Sequence, residues 1–164
     1  MTRQMRRKDK QMENKQEIQE ILLKTKYVTI GMCRDNEPYL VTLSHGYDRD
    51  KNCIYFHCAS EGKKIDYLNS NPIVWGQALI DKGYVKGACD HLYVTVHFRG
   101  EVHFLDSIEE KDKALRVMIR QLDDNPKKIM SEQLKEESIR NVTIGRIDIE
   151  YISGKAAEEV IISL

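Results

Sequence analysis

The chain changes hydrophobic period several times, and each change marks an element. Between Asn14 and Lys24 the apolar residues Ile18, Ile21 and Leu22 stand at i, i+3 and i+4, the repeat of one helical face. Asn14, whose side-chain oxygen can accept from a first-turn amide, is the expected N-cap. From Tyr27 to Cys33 the period falls to two, with Val28, Ile30 and Met32 alternating against Thr29, Gly31 and Cys33. That alternation predicts a half-buried strand. Asp35 to Pro38 supplies turn residues, Tyr39 to Asp48 a second strand, Asp48 to Asn52 another turn and Cys53 to Cys58 a third strand.

Ser60 to Leu68 predicts a short helix with Ser60 as N-cap. Asn71-Pro72 ends it, because the residue before proline is pushed out of the helical region. Ile73 to Ile80 predicts a fourth strand, Asp81 to Asp90 a loop, and His91 to Phe104 a long strand with Leu92, Val94, Val96 and Phe98 on one face. Gly100 within it predicts a bulge or bend. Ser107 and Glu110 form a capping box ahead of a helical stripe of Ala114, Leu115, Met118, Ile119 and Leu122. Asp123 to Pro126 stops that helix, and a weaker one spans Ser131 to Ser138. The last strand runs from Asn141 to Ile152. Its apolar residues change parity between Ile144 and Ile147, which predicts a bulge near Gly145. The sum is a mainly β (α+β) domain: six antiparallel strands in a small barrel, with helices packed outside.

The apolar fraction of 41% supports a real core and excludes global disorder. Lysine plus arginine total 26 and aspartate plus glutamate total 26, so no broad positive field exists for nucleic acid or an anionic membrane. No apolar run approaches the roughly 18–20 residues of a membrane span. The start of the chain is basic and then polar, unlike a secretory signal. Cys33, Cys53, Cys58 and Cys89 form no CxxC pair, so the expectation is reduced thiols in a cytoplasmic protein. Residues 1–13 read as a charged leader, and 14–164 as a single domain.

The densest chemistry lies from Ile54 to Lys64, where a strand runs into a helix start carrying Gly62, Lys63 and Lys64. Amides at a helix N-terminus point outward and the helix dipole favours an anion, so the junction suits a phosphate. An ordinary junction with solvated lysines is the competing reading. His57 shares a strand face with Tyr55 and could donate a proton or a hydrogen bond to a bound ring. His97 and His103 lie roughly 20 Å apart along a strand, and Cys89 with His91 supplies only two ligands, so no metal site is expected. GxSxG, GxGxxG and GxxxxGK[ST] are all absent.

These segments, in order, resemble the FMN-binding split-barrel family related to pyridoxamine 5'-phosphate oxidase, and within it the nitroimidazole-resistance (Nim-like) branch. The resemblance rests on Met5 to Asp9, Glu37 to Ser44, Tyr55 to Ala59 with Gly62-Lys63-Lys64, and Asn71-Pro72. It continues in Tyr93 to Val96 with Gly100, and in Ile147 to Ile149 with Gly154-Lys155. It implies a homodimer with FMN in two clefts between the subunits. Leu40, Val41, Thr42, Leu43 and Ser44 would lie along the isoalloxazine edge. His57 and Cys58 would lie beside the flavin, Lys63 and Lys64 would hold its phosphate, and Thr95 would reach the ring. His57 would be the catalytic residue. The oxidase proper carries arginine where this chain has Leu40, and an Arg-Lys pair in place of Lys63-Lys64. Oxidation of pyridoxamine phosphate is therefore not expected. The implied activity is reduction of a small organic acceptor, nitroaromatics included, with NADH or NADPH as donor. A deazaflavin in place of FMN, or a non-catalytic flavin or haem carrier using the same cleft, is the alternative.

Overall fold

The structure, a computed structural model, describes residues 5–157. A 3-10 turn at Lys8–Lys10 leads into β1 (Gln11–Met12), α1 (Lys15–Lys24), β2 (Tyr27–Arg34), β3 (Glu37–Ser44), β4 (Gly46–Asp48) and β5 (Cys53–Cys58). Then come α2 (Lys63–Ser70), β6 (Ile73–Val85), β7 (Asp90–Phe104), α3 (Ile108–Leu122), α4 (Pro126–Gln133), α5 (Glu136–Asn141) and β8 (Thr143–Ala156). The strands form one antiparallel sheet in the order β3-β2-β6-β7-β8-β5-β4, with β1 added beside β8. The six expected strands are the six long ones; β1 and β4 are short additions. Gln11 and Met12, within the stretch read as a leader, pair with Lys155 and Gly154.

Several boundaries differ from expectation, each for a physical reason. The second strand breaks at His45, where the chain leaves β2 and joins β5. The helix after β5 begins at Lys63, not Ser60; Gly62 occupies its cap at φ 121° and no side chain caps it. The stretch from Asp81 to Asp90 is a tight hairpin extending β6 and β7, with the irregularity taken up between Asp81 and Gly83. Two helices, α4 and α5, replace the single weak one. Asn125 caps α4 by accepting from Lys128 N.

The expected bulge near Gly145 is absent, since β8 keeps register with β5 and β7 there. Two cores explain the parity change instead. Ile147 faces the barrel interior with Ile54, Phe56, Phe98 and the α1 residues Ile18, Ile21 and Leu22. Ile144 faces outward against α3, in a second cluster with Cys53, Tyr55, Ala114 and Met118. The bulge that does occur leaves Glu150 unpaired opposite Arg99 and Gly100, beside the glycine that predicted it. There a Cβ on Gly100 would stand 2.4 Å from the Asp148 carbonyl oxygen.

His45 anchors the strand switch. It is fully buried, its Nε2–H donates to the Leu22 carbonyl at 2.9 Å, and its Nδ1 has no partner. Gln121 of α3 completes the clasp, donating to the Leu22 and Thr25 carbonyls and accepting from Tyr47 N. Burial holds the His45 imidazole below its ordinary pKa. The folded protein keeps it neutral while the unfolded chain takes up a proton below about pH 6.5. Its stability contribution is therefore intact above that pH and lost as pH falls toward the depressed folded value. Urea midpoints should drop on acidification through this window. His45→Gln, which keeps a donor but cannot titrate, should flatten that limb.

Candidate functional site

The barrel fails to close between β3 and β5, and this split organises the site. β3 pairs only with β2, leaving its second edge without a strand. β4 pairs with β5 only as far as Tyr55, so Phe56, His57 and Cys58 have a strand on the β8 side alone. Continuing the Gly46–Tyr55 register by two residues would set Ser44 opposite His57, yet no such pair forms. Two backbone edges therefore flank one opening. Unpaired strand edges present alternating donors and acceptors, which a partner must satisfy.

Along β3, Val41 and Leu43 turn toward the core while Leu40, Thr42 and Ser44 turn outward. What the five share is the edge strand itself, on which alternate residues present their N–H and C=O to the open side. Thr42 Oγ1 also meets Thr29 Oγ1 at 3.0 Å on the outer face. Opposite this edge, β5 runs to α2, whose first-turn amides have no side-chain cap. A Cβ on Gly62 would meet nothing within 4 Å, so the approach to these amides is open.

The two lysines diverge. Lys63 Nζ pairs with Glu37 at 3.2 Å and lies 4.7 Å from the Tyr39 ring centroid and 5.4 Å from that of Tyr67. The Glu37 hydrogen bond raises the Lys63 pKa, and the same bond lowers that of Glu37. Lys64 instead lies over Phe56, 5.8 Å from its centroid, on the Cys58 side of β5. Burial pushes the Cys58 thiol up, and the positive field of Lys64 opposes that shift. Lys64, Cys58 and the α2 start are thus brought together, while Lys63 is committed to the β2–β3 hairpin.

His57, next on the strand, faces the other way, into a cavity under α3 to α5. Thr95 is buried, donating to the Ala78 carbonyl at 3.1 Å and accepting from Gln77 Nε2 at 3.0 Å. One lone pair of its hydroxyl remains for a ligand. Glu37, Tyr39, Tyr67 and Gln77, the side chains that occupy Lys63 and Thr95, escaped the sequence reading. Glu37 and Tyr39 stand in the second-strand motif itself, but nothing in its spacing shows that Lys63 will fold back on them. Among the described residues no three His, Cys, Asp or Glu side chains converge as a metal site. No helix among them is long and apolar enough to cross a membrane.

Comparison with known proteins places this geometry. Residues 14–156 match the family model for pyridoxamine 5'-phosphate oxidase. No curated protein sequence matches the chain. Among solved structures, it is similar to a putative 5-nitroimidazole antibiotic resistance protein from Bacteroides thetaiotaomicron. The identity is 27%, 88% of this chain and 85% of that one are covered, and the TM-score is 0.75. The flavocytochrome Anf3 from Azotobacter vinelandii shares the fold at 17% identity, covering 95% of this chain and 73% of its own, with a TM-score of 0.78. A FAD-binding protein from Mesorhizobium loti shares it at 23% identity, with 88% and 95% covered and a TM-score of 0.63. The sheet order with its single split, and a family match running from the α1 cap to the end of β8, lead to one assignment: the chain belongs to the pyridoxamine 5'-phosphate oxidase family.

Proposed function

We propose that this protein is an FMN-dependent oxidoreductase reducing small organic acceptors, nitroaromatics among them, with NADH or NADPH as donor. The observation that carries the reading is the open β3 edge facing an uncapped helix start with Lys64 beside it. The residues fit the cofactor. A ring with a polar edge pairs with the backbone of Leu40 to Ser44 as a strand would, and a terminal phosphate meets the α2 amides and Lys64. One uncapped helix start suits one phosphate group, which favours FMN over a dinucleotide. The flavin supplies the hydride and electron chemistry; the protein binds, orients and excludes water. The Nim-like similarity supports the acceptor class.

The similarity to a flavocytochrome keeps a flavin or haem carrier using the same cleft as the second reading. Absorbance of the freshly purified protein separates them: flavin bands support the first, a Soret band the second. Oxidation of NADH or NADPH coupled to nitro-compound reduction then separates enzyme from carrier. A colourless preparation that takes up no added FMN overturns both.

The cleft also needs a second chain, and the sheet offers a face for one. Tyr27, Leu40, Trp75 and Leu79 are 61%, 68%, 48% and 48% exposed, and Leu40, Gly31 and Trp75 lie in one row across β3, β2 and β6. Such a patch on an open sheet marks a partner surface. A homodimer is therefore proposed, and a cytoplasmic one on the ground of its four unpaired cysteines. Light scattering should give a dimer, and Trp75→Glu with Leu79→Glu should give a monomer with weakened FMN binding. A wild-type monomer that binds FMN tightly would refute the shared cleft.

A further inference from the structure

The second opening in the molecule lies on the opposite side of β5 from the split. His57 and Cys58 are successive strand residues, so their side chains face opposite ways. Cys58 turns toward Lys64, while His57, itself exposed, stands at an open pocket of about 350 Å³ lined by α3, α4 and α5. That volume falls at the small end of ligand pockets, roughly 300–1,000 Å³. Its walls are mostly apolar, Leu115, Met118, Ile119, Leu122, Ile129 and Ile139 among them, with Gln133 and Ser138 as further polar groups. The α4–α5 side is lightly fastened, since α4 buries none of its residues and α5 only Ile139.

We propose that this cavity binds a neutral, apolar molecule of one or two fused rings, held through a hydrogen bond to His57. The imidazole makes no hydrogen bond to any described residue, so one ring nitrogen can donate and the other accept when neutral. A polar side chain left open against an apolar wall fixes the orientation of a ligand with one polar group. Charge excludes the obvious rivals. No lysine or arginine lines the cavity to neutralise a carboxylate or phosphate, and Asp123 at its edge repels an anion. The site shares no lining residue with the β3 edge or the α2 start; His57 alone belongs to both openings, by its backbone at the split and by its side chain here.

The test is a titration of the full chain, without added flavin, using 2-naphthol as probe, followed by fluorescence and calorimetry. Saturable binding of one molecule per chain is expected. Leu115→Trp, which fills the cavity from α3, should weaken it at least tenfold. Ile129→Trp, from α4, reads the same space if the first variant folds poorly. His57→Ala should weaken it about fivefold, the worth of one hydrogen bond. Decanoate, an anion with ample apolar surface, should not compete. No saturable binding, equal affinity in wild type and both tryptophan variants, or displacement by decanoate overturns the proposal. FMN titrated into the same samples reads the split separately, so failure at one site is not confused with failure at the other.

Discussion

Lys64→Ala is expected to lower FMN affinity by roughly 10- to 100-fold, the value of one charge-assisted hydrogen bond to phosphate. Lys63→Ala should change it by only about threefold, although the two residues are adjacent and chemically identical. The difference comes from what each ammonium already does. Lys63 spends its charge on Glu37 and the faces of Tyr39 and Tyr67, and it must break that exposed pair before gripping anything else. Lys64 has no carboxylate partner among the described residues and lies at the split beside Cys58. Quenching of FMN fluorescence, titrated at one fixed ionic strength, measures both variants. A larger loss for Lys63 than for Lys64 would mean that the hairpin, not the split, receives the phosphate. Glu37→Gln provides the control, since freeing Lys63 should narrow the gap between the two variants.

How much of this was legible in the sequence depended on whether one face or two faces of an element are buried. Where one face is solvated, period alone sufficed: α1 with its Asn14 cap and β2 appear almost where the pattern put them. The Ser107–Glu110 capping box forms as written, with Ser107 Oγ accepting from Glu110 N. Where both faces are buried, parity misled. β5 and the start of β8 sit between the barrel interior and the α3 layer, so every position wants an apolar side chain, and a change of layer imitates a change of register. The strand switch at His45 was equally hidden, because its cause is a contact with Leu22 that is distant in sequence. For the proposed site, the motif pointed to the β5–α2 junction, but that its two lysines diverge depends on Glu37, Tyr39 and Tyr67 gathering round Lys63 alone.

Gly145→Val is expected to be among the most damaging single substitutions in the barrel, costing about 3 kcal/mol or more by overpacking a filled interior. Gly145 pairs directly with Phe56, and a Cβ there would stand 2.2 Å from that ring. Gly76 and Phe98 repeat the arrangement on β6 and β7, with a Cβ 2.1 Å from the ring. Each phenylalanine lies across the glycine opposite it, which is how a narrow barrel accommodates two aromatic side chains. Both rings are fully buried and cannot swing out to relieve the clash. For a domain of this size the loss corresponds to a melting point lower by roughly 6–12 °C. The second substitution decides the cause. Phe56→Leu alone removes packing and destabilises, but combined with Gly145→Val it should recover part of the loss, because the smaller side chain yields the space the valine takes. Additive losses in the double variant would show that glycine is needed at this position for its backbone and not for the ring above it. Since Phe56 also lies beneath Lys64, recovery of stability without recovery of FMN affinity would show that the ring supports the lysine as well as the core.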